Sequence, residues 1–214
     1  MSPPQKCRIL KKKALNFPKL LLALLSISVS GLALLGFCRR GMEWMTAARN
    51  EVELLPLIRA AAARHDVPEE LVRAVIWKES RFNSAAVGSK GEIGLMQITD
   101  GAVQDWARRR RQKKPVRREL FKPEVNLEIG TWYLAQCGRH WDGYLSRDIL
   151  QLAEYNAGRR KVLKDWAPSR AADSLSLDAI SYPSTQDYIS QILARRAYYR
   201  KQLEKEREAH KNGF

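Results

Sequence analysis

Apolar positions recur at three- and four-residue spacing over most of this chain, which predicts a mostly α-helical protein with little sheet. The first apolar stretch differs from the rest: Leu20 to Cys38 contains no charged residue and is long enough to cross a bilayer as an N-terminal hydrophobic helix. Ala47 to Arg64 is rich in alanine and leucine, with Pro56 marking an interruption near a new first turn. Asp66 reads as an N-cap, with Pro68 and Glu69 in the first turn of a helix that ends near Ser80. Asn83 to Gly94 is turn-rich, and its Gly88, Gly91 and Gly94 with short β-branched pieces predict a small hairpin or loop. Helical spacing returns from Leu95 to Ala107, lapses up to Lys122, and resumes behind Pro123 through Cys137. Asp148 caps a helix through Tyr155 that Gly158 ends, and Arg159 to Asp165 form a short helix. Residues 167–179 read as loop. The last helix starts at Thr185 or Asp187 and runs to about Glu208.

These elements divide the chain into a basic N-terminus (1–19), the hydrophobic segment (20–38), a linker (39–50), one domain (51–205) and a charged tail (206–214). Lys6, Arg8, Lys11, Lys12, Lys13 and Lys19 precede the hydrophobic segment, and that excess favours a cytoplasmic N-terminus. The segment is a signal anchor or a cleaved signal peptide. Ser28-Val29-Ser30 offers a small-x-small spacing for cleavage, while Phe37 stands before Cys38 where a lipoprotein site wants a small residue. The anchor reading is preferred, and either reading exports the domain.

Charge narrows the picture. The formal net charge is +15, but residues 1–40 hold eight basic residues and no acid, and residues 108–118 hold eight more and no acid. The remainder sums to −1, so the body is near neutral with one basic segment attached. That segment lacks interleaved aromatics and any nucleic-acid motif, so no nucleic-acid partner is expected. The three cysteines (Cys7, Cys38, Cys137) do not make a disulfide framework, and Cys137 reads as a small core residue. His65, His140 and His210 show no metal-ligand spacing, and no glycine-rich phosphate loop occurs. Neither metal nor cofactor is expected.

One carboxylate stands out. Glu79 falls on the stripe of Leu71, Val72, Val75 and Ile76, near the end of its helix. Removal from water and the negative end of the helix dipole both disfavour its charged form. A carboxyl kept protonated near neutral pH can serve as a general acid. Position alone also fits a Glu that snorkels outward or pairs with Lys78 or Arg81.

The motifs downstream decide between these readings. Glu79-Ser80-x-Phe82, Gly94-Leu95-Met96-Gln97 and Ala153-Glu154-Tyr155-Asn156-Ala157-Gly158 follow in order, joined by Leu120-Phe121-Lys122-Pro123-Glu124-x-Asn126 and a late Thr185-x-x-Tyr188-Ile189. Together they resemble the soluble-lytic-transglycosylase-like (SLT) catalytic domains that cut peptidoglycan, over roughly residues 55–200. The resemblance implies a lysozyme-like α-helical domain and a peptidoglycan glycan strand as substrate. It implies that Glu79 protonates the bond between N-acetylmuramic acid and N-acetylglucosamine, then takes the C6 hydroxyl proton as a 1,6-anhydro ring closes. The implied substrate-binding residues are Ser80, Ser89, Met96, Gln97, Tyr155, Asn156 and Tyr188. Core packing is an equal reading for Met96 and Tyr188, and the likelier fate of Trp106 and Trp141.

Three positions depart from the family pattern: Ser184 where an acid is usual, Gly88 where many relatives have serine, and Glu92 where a small residue is common. Among the other acids, Glu92 is the serious candidate for a second carboxylate, and Glu154 should face away from Tyr155. The resemblance places the domain in a bacterial periplasm, held to the inner membrane through residues 20–38 or released there after cleavage. Wall-synthesis or secretion-system partners stay unidentified. Two rival readings remain: a goose-type lysozyme-like hydrolase, in which water attacks, and a non-catalytic wall-binding protein.

Overall fold

The computed structural model describes residues 41–43 and 45–213. The chain divides into two units, Met1–Thr46 and Ala47–Phe214. The described residues of the first are helical. The expected basic terminus and the hydrophobic segment 20–38 lie outside the described residues. No helix among the described residues is long and apolar enough to cross a membrane.

The second unit is built of helices with no strand among the described residues. In chain order they are α1 (residues 47–65), α2 (Glu69–Ser80), α3 (Asp100–Arg110), α4 (Pro123–Arg139), α5 (Arg147–Ala157), α6 (Arg159–Asp165) and α7 (Pro183–Asn212). Single 3-10 turns cover Arg117–Phe121 and Leu177–Ala179. The expected small hairpin is reduced to two isolated antiparallel bridges, Val87 with Ile93 and Ile93 with Ile98.

α4 is the core helix. Leu127, Ile129, Thr131, Trp132, Leu134 and Cys137 are buried around its circumference, as a helix enclosed by others requires. Gly130 sits where the turn before α3 crosses it; a Cβ there would lie 2.6 Å from Met96 Sδ, so the absent side chain admits Met96 to the core. α7 packs along α2, and α5 lies against both α4 and α7. Asn126 of α4 is fully buried and fully bonded. Its Oδ1 accepts from Met96 N at 2.9 Å, and its Nδ2 donates to Ile93 O and Leu120 O at 2.8 Å each. One amide thus fastens the glycine-rich turn to the core.

Several sequence expectations are corrected. Pro56 does not break α1; Val52, whose carbonyl loses its helical partner, is 67% exposed, so water can replace it. Asp66 is not an N-cap: at φ 55° it turns the chain at the end of α1, and Pro68 precedes α2 instead. Leu95 to Ile98 belong to the turn, because Thr99 caps α3 by accepting from Ala102 N. Asp148 lies inside α5 behind Ser146 and pairs with Arg196 at 2.6 Å. α7 opens with Pro183 at its first turn and continues to Asn212.

Candidate active site

Burial on α2 runs unbroken from Leu71 to Ile76, and the helix then carries Glu79 to the edge of the core. Arg81 closes the helix in the left-handed conformation, its N–H donating to Trp77 O. Phe82 follows, buried and also at positive φ, so the chain folds back under Glu79.

Glu79 Oε1 accepts a hydrogen bond from Tyr188 Oη at 2.6 Å. Its carboxyl is pushed up to about 7 from an ordinary 4.5. Burial is the main cause; the Tyr188 hydrogen bond opposes it, the charge of Glu92 adds to it, and Lys78 opposes it. Lys78 is itself drawn to Asp187 at 3.3 Å. No cation forms an ion pair with Glu79 among the described residues, so a snorkelling, salt-bridged glutamate does not describe it.

The other expected residues lie on α2, on the glycine-rich turn and on α5. Tyr155, at the end of α5, donates from its Oη to Met96 O at 2.8 Å rather than to Glu79. Burial first, and then the charge of Glu79, push its hydroxyl upward, so it stays a protonated donor beside the acid. Tyr188 is held protonated by the same two influences. Ser80 Oγ donates to Leu95 O at 2.8 Å and ties the end of α2 to the turn. Gln97 takes a left-handed φ of 45°, and its Nε2 donates to Gly94 O at 2.9 Å and Ala86 O at 3.3 Å. Asn156 is exposed and accepts from Thr185 Oγ1 at 2.9 Å, which joins α5 to α7. Ser89 is exposed on the turn.

Met96 departs from expectation. Its side chain has 0% exposure and packs on Gly130 and Thr131, so it has no surface to offer a sugar. Its contribution is the carbonyl that receives Tyr155. Trp141 is core, as read, and Glu154 faces away from Tyr155, accepting from Trp141 Nε1 at 2.8 Å beside His140 Nδ1 at 2.7 Å. Sequence reasoning named Asn126 and Thr185 only as motif members and assigned them no role; they position the turn and Asn156. An asparagine at the start of a helix rich in apolar residues was the available signal for the first.

A cavity of about 600 Å³ lies elsewhere, lined by Asp66, Arg139, Asp142, Arg147 and Arg196 among others. Four of its charges are paired, Arg147 with Asp142 at 2.9 Å and Arg196 with Asp148 at 2.6 Å, and no candidate site residue lines it. The region around Glu79 instead gathers a carboxyl pushed up to about 7, two tyrosine hydroxyls and a glycine-rich turn on which Ser89 and Lys90 are exposed. Such a set can donate a proton and take one back near neutral pH.

Residues 56–175 match the Transglycosylase SLT domain family. The chain is 34% identical over 122 residues to membrane-bound lytic murein transglycosylase C of Serratia proteamaculans, covering 54% of this chain and 34% of that protein. It is 35% identical over 116 residues to the Yersinia pestis protein of the same name, covering 51% of this chain and 32% of that one. The chain therefore spans about a third of the length of these relatives. Among solved structures, the 70 kDa soluble lytic transglycosylase of Escherichia coli superposes with a TM-score of 0.61 at 25% identity, covering 69% of this chain and 24% of that one. An inactive variant of the lytic transglycosylase Slt of Pseudomonas aeruginosa superposes with a TM-score of 0.62 at 24% identity, covering 70% and 24%, and shows the shared fold.

Proposed function

Because this chain belongs to the Transglycosylase SLT domain family, we propose that it is a peptidoglycan lytic transglycosylase. Its substrate is the β-1,4 bond between N-acetylmuramic acid and N-acetylglucosamine. The observation that carries this reading is Glu79: a carboxyl raised to about 7 mainly by burial, in no ion pair with a cation among the described residues, and held by a tyrosine hydroxyl.

The protonated Glu79 gives its proton to the bridging oxygen as the bond from that oxygen to C1 of the muramic acid breaks. The substrate's own N-acetyl group shields the cation developing at C1. The Glu79 carboxylate then removes the proton from the C6 hydroxyl, and that oxygen bonds C1 to form the 1,6-anhydro ring. Water is not consumed, and the proton count on Glu79 returns to its start. A group that must act as acid and then base is best placed with a pKa near the working pH, which is where Glu79 lies. Tyr188 holds the carboxyl in orientation, and Tyr155, Asn156, Gln97, Ser80 and Ser89 shape the cleft that takes the sugars.

A second reading draws on Glu92. Its charge reaches Glu79, and a second carboxylate facing an acid is the arrangement a hydrolase uses to activate water. The products separate the two. Digestion of purified sacculi followed by mass spectrometry should give anhydromuramic ends, each lighter by one water than a reducing end. Reducing ends alone would establish the hydrolase, and binding without release would establish a wall-binding protein. The relatives' names describe membrane-bound enzymes, which supports placing the domain at the periplasmic face of the inner membrane, with residues 20–38 as its anchor. A mature-protein mass that includes those residues is the expected result.

A further inference from the structure

Gly88 and Glu92 are the two departures from the family pattern that fall on one turn, and the structure links them. A Cβ at residue 88 would collide with Glu92 Oε2 and would lie 2.7 Å from Gln97 Oε1. The missing side chain is thus the space in which a carboxylate oxygen and an amide oxygen converge.

Both oxygens are held as acceptors. Gln97 cannot turn its amide over without losing the bonds from Nε2 to Gly94 O and Ala86 O. Its left-handed φ of 45° is a conformation a non-glycine residue adopts at a cost, and here it aims the side chain at Gly88. Glu92 Oε2 accepts from Lys90 N at 2.9 Å, which fixes the carboxylate on the turn. No lysine, arginine or histidine among the described residues forms an ion pair with Glu92. Two converging acceptors, one of them charged and without a counter-ion, are complementary to a group that has several N–H donors and no acceptor. A primary ammonium is that group; an N-acetyl amide has one N–H and no charge.

We infer that Gly88, Glu92 and Gln97 form a subsite that selects substrate carrying a free primary amine. This deepens the proposed reaction and rests on it for the identity of the polymer. The amine belongs either to an amino sugar that lacks its acetyl group or to a diamino acid in a peptide attached to the glycan. The chemistry recognised is the same.

Binding tests this without requiring cleavage. Full-length protein in detergent is titrated with glucosamine tetramer, with N-acetylglucosamine tetramer, and with a sugar-free peptide carrying a diamino acid, free or acetylated on its side-chain amine. The wild type should bind one amine-bearing probe about fivefold more tightly than its acetylated form, the upper range for a charge pair open to solvent. The probe that shows the difference identifies the source. Glu92→Gln keeps an acceptor for Lys90 N but removes the charge, and should bring the ratio to about one. Gly88→Ser displaces the carboxylate and should do the same. A ratio unchanged in Glu92→Gln, or no preference in the wild type, overturns the inference. Sacculus digestion by the same preparations reports separately on the proposed reaction, since a protein that binds amines but releases nothing fails only there.

Discussion

Helix α2 withdraws two ionisable side chains from water, Arg73 buried and Glu79 partly buried, and treats them in opposite ways. Arg73 is 5% exposed, with its guanidinium 2.9 Å from Glu51 Oε1 and 3.5 Å from Glu69 Oε1, and stacked 4.1 Å from the centre of the Tyr199 ring. Its charge is compensated by two carboxylates and an aromatic face. Glu79 has a neutral hydroxyl for its hydrogen-bond partner and another carboxylate among its electrostatic neighbours. α7 serves both ends, supplying Tyr199 to one and Tyr188 to the other. The difference separates structure from chemistry on one element: a compensated buried charge locks helices together, whereas an uncompensated one is driven to change its protonation state.

Removing each group should therefore break different things. Glu79→Gln should lower the rate of sacculus cleavage by about a thousandfold or more, within the range for loss of a general acid, with the fold intact by circular dichroism. Near-normal cleavage by that variant would remove Glu79 from the reaction. Arg73→Met should leave activity per folded molecule unchanged and cost about 3 kcal/mol in urea unfolding, because Glu51 and Glu69 lose their buried partner. Adding Glu51→Leu should recover part of that loss. A cost near zero for Arg73→Met would mean that the ion pairs are not formed in solution.

The pH dependence of stability sharpens the contrast. The Glu79 carboxyl has an ordinary value of 4.5 and a folded value of about 7, so between these the native state binds more protons than the unfolded one. The associated stability is complete below the lower value and is lost as pH rises through the upper one, by up to about 3 kcal/mol. Glu79→Gln should lack this slope. The variant should gain on the wild type above pH 7 by roughly that amount, and the gain should vanish near pH 4. Parallel unfolding curves across that range would contradict the buried carboxyl.

Much of this was legible beforehand. The spacing of Leu71, Val72, Val75 and Ile76 placed Glu79 on a buried face, and the ordered motifs placed Tyr155 and Tyr188 near it. The stripe could not reveal Arg73, because a charged residue counts as polar in any periodicity, and its acids come from positions 51 and 69. Nor could it separate the two fates of the Gly94–Gln97 motif. Met96 and Gln97 are adjacent, yet one is swallowed by the Gly130 gap and the other is turned outward by a left-handed backbone. The Asp66 and Leu95 boundaries failed for a related reason. Local signals, a capping residue at Asp66 and helical spacing at Leu95, were present, and the tertiary turn used a proline or a threonine a few residues later.

Tyr188 and Tyr199 of α7 give the finest test, since the same substitution should act on different properties at the two positions. The Tyr188 hydroxyl donates to Glu79 and favours the ionised carboxylate, so Tyr188→Phe should raise the carboxyl further above about 7. The pH profile of cleavage should then show its carboxyl-dependent limb displaced upward. Activity at neutral pH should fall about tenfold, as expected for losing one hydrogen bond that orients a charged group. Tyr199 acts on Arg73 through its ring, which Tyr199→Phe retains. That variant should change stability by no more than about 0.5 kcal/mol and leave the pH profile in place. If Tyr199→Phe moved the limb as Tyr188→Phe does, the effect would be a general softening of α7, and the division of α2 into a structural end and a chemical end would not hold.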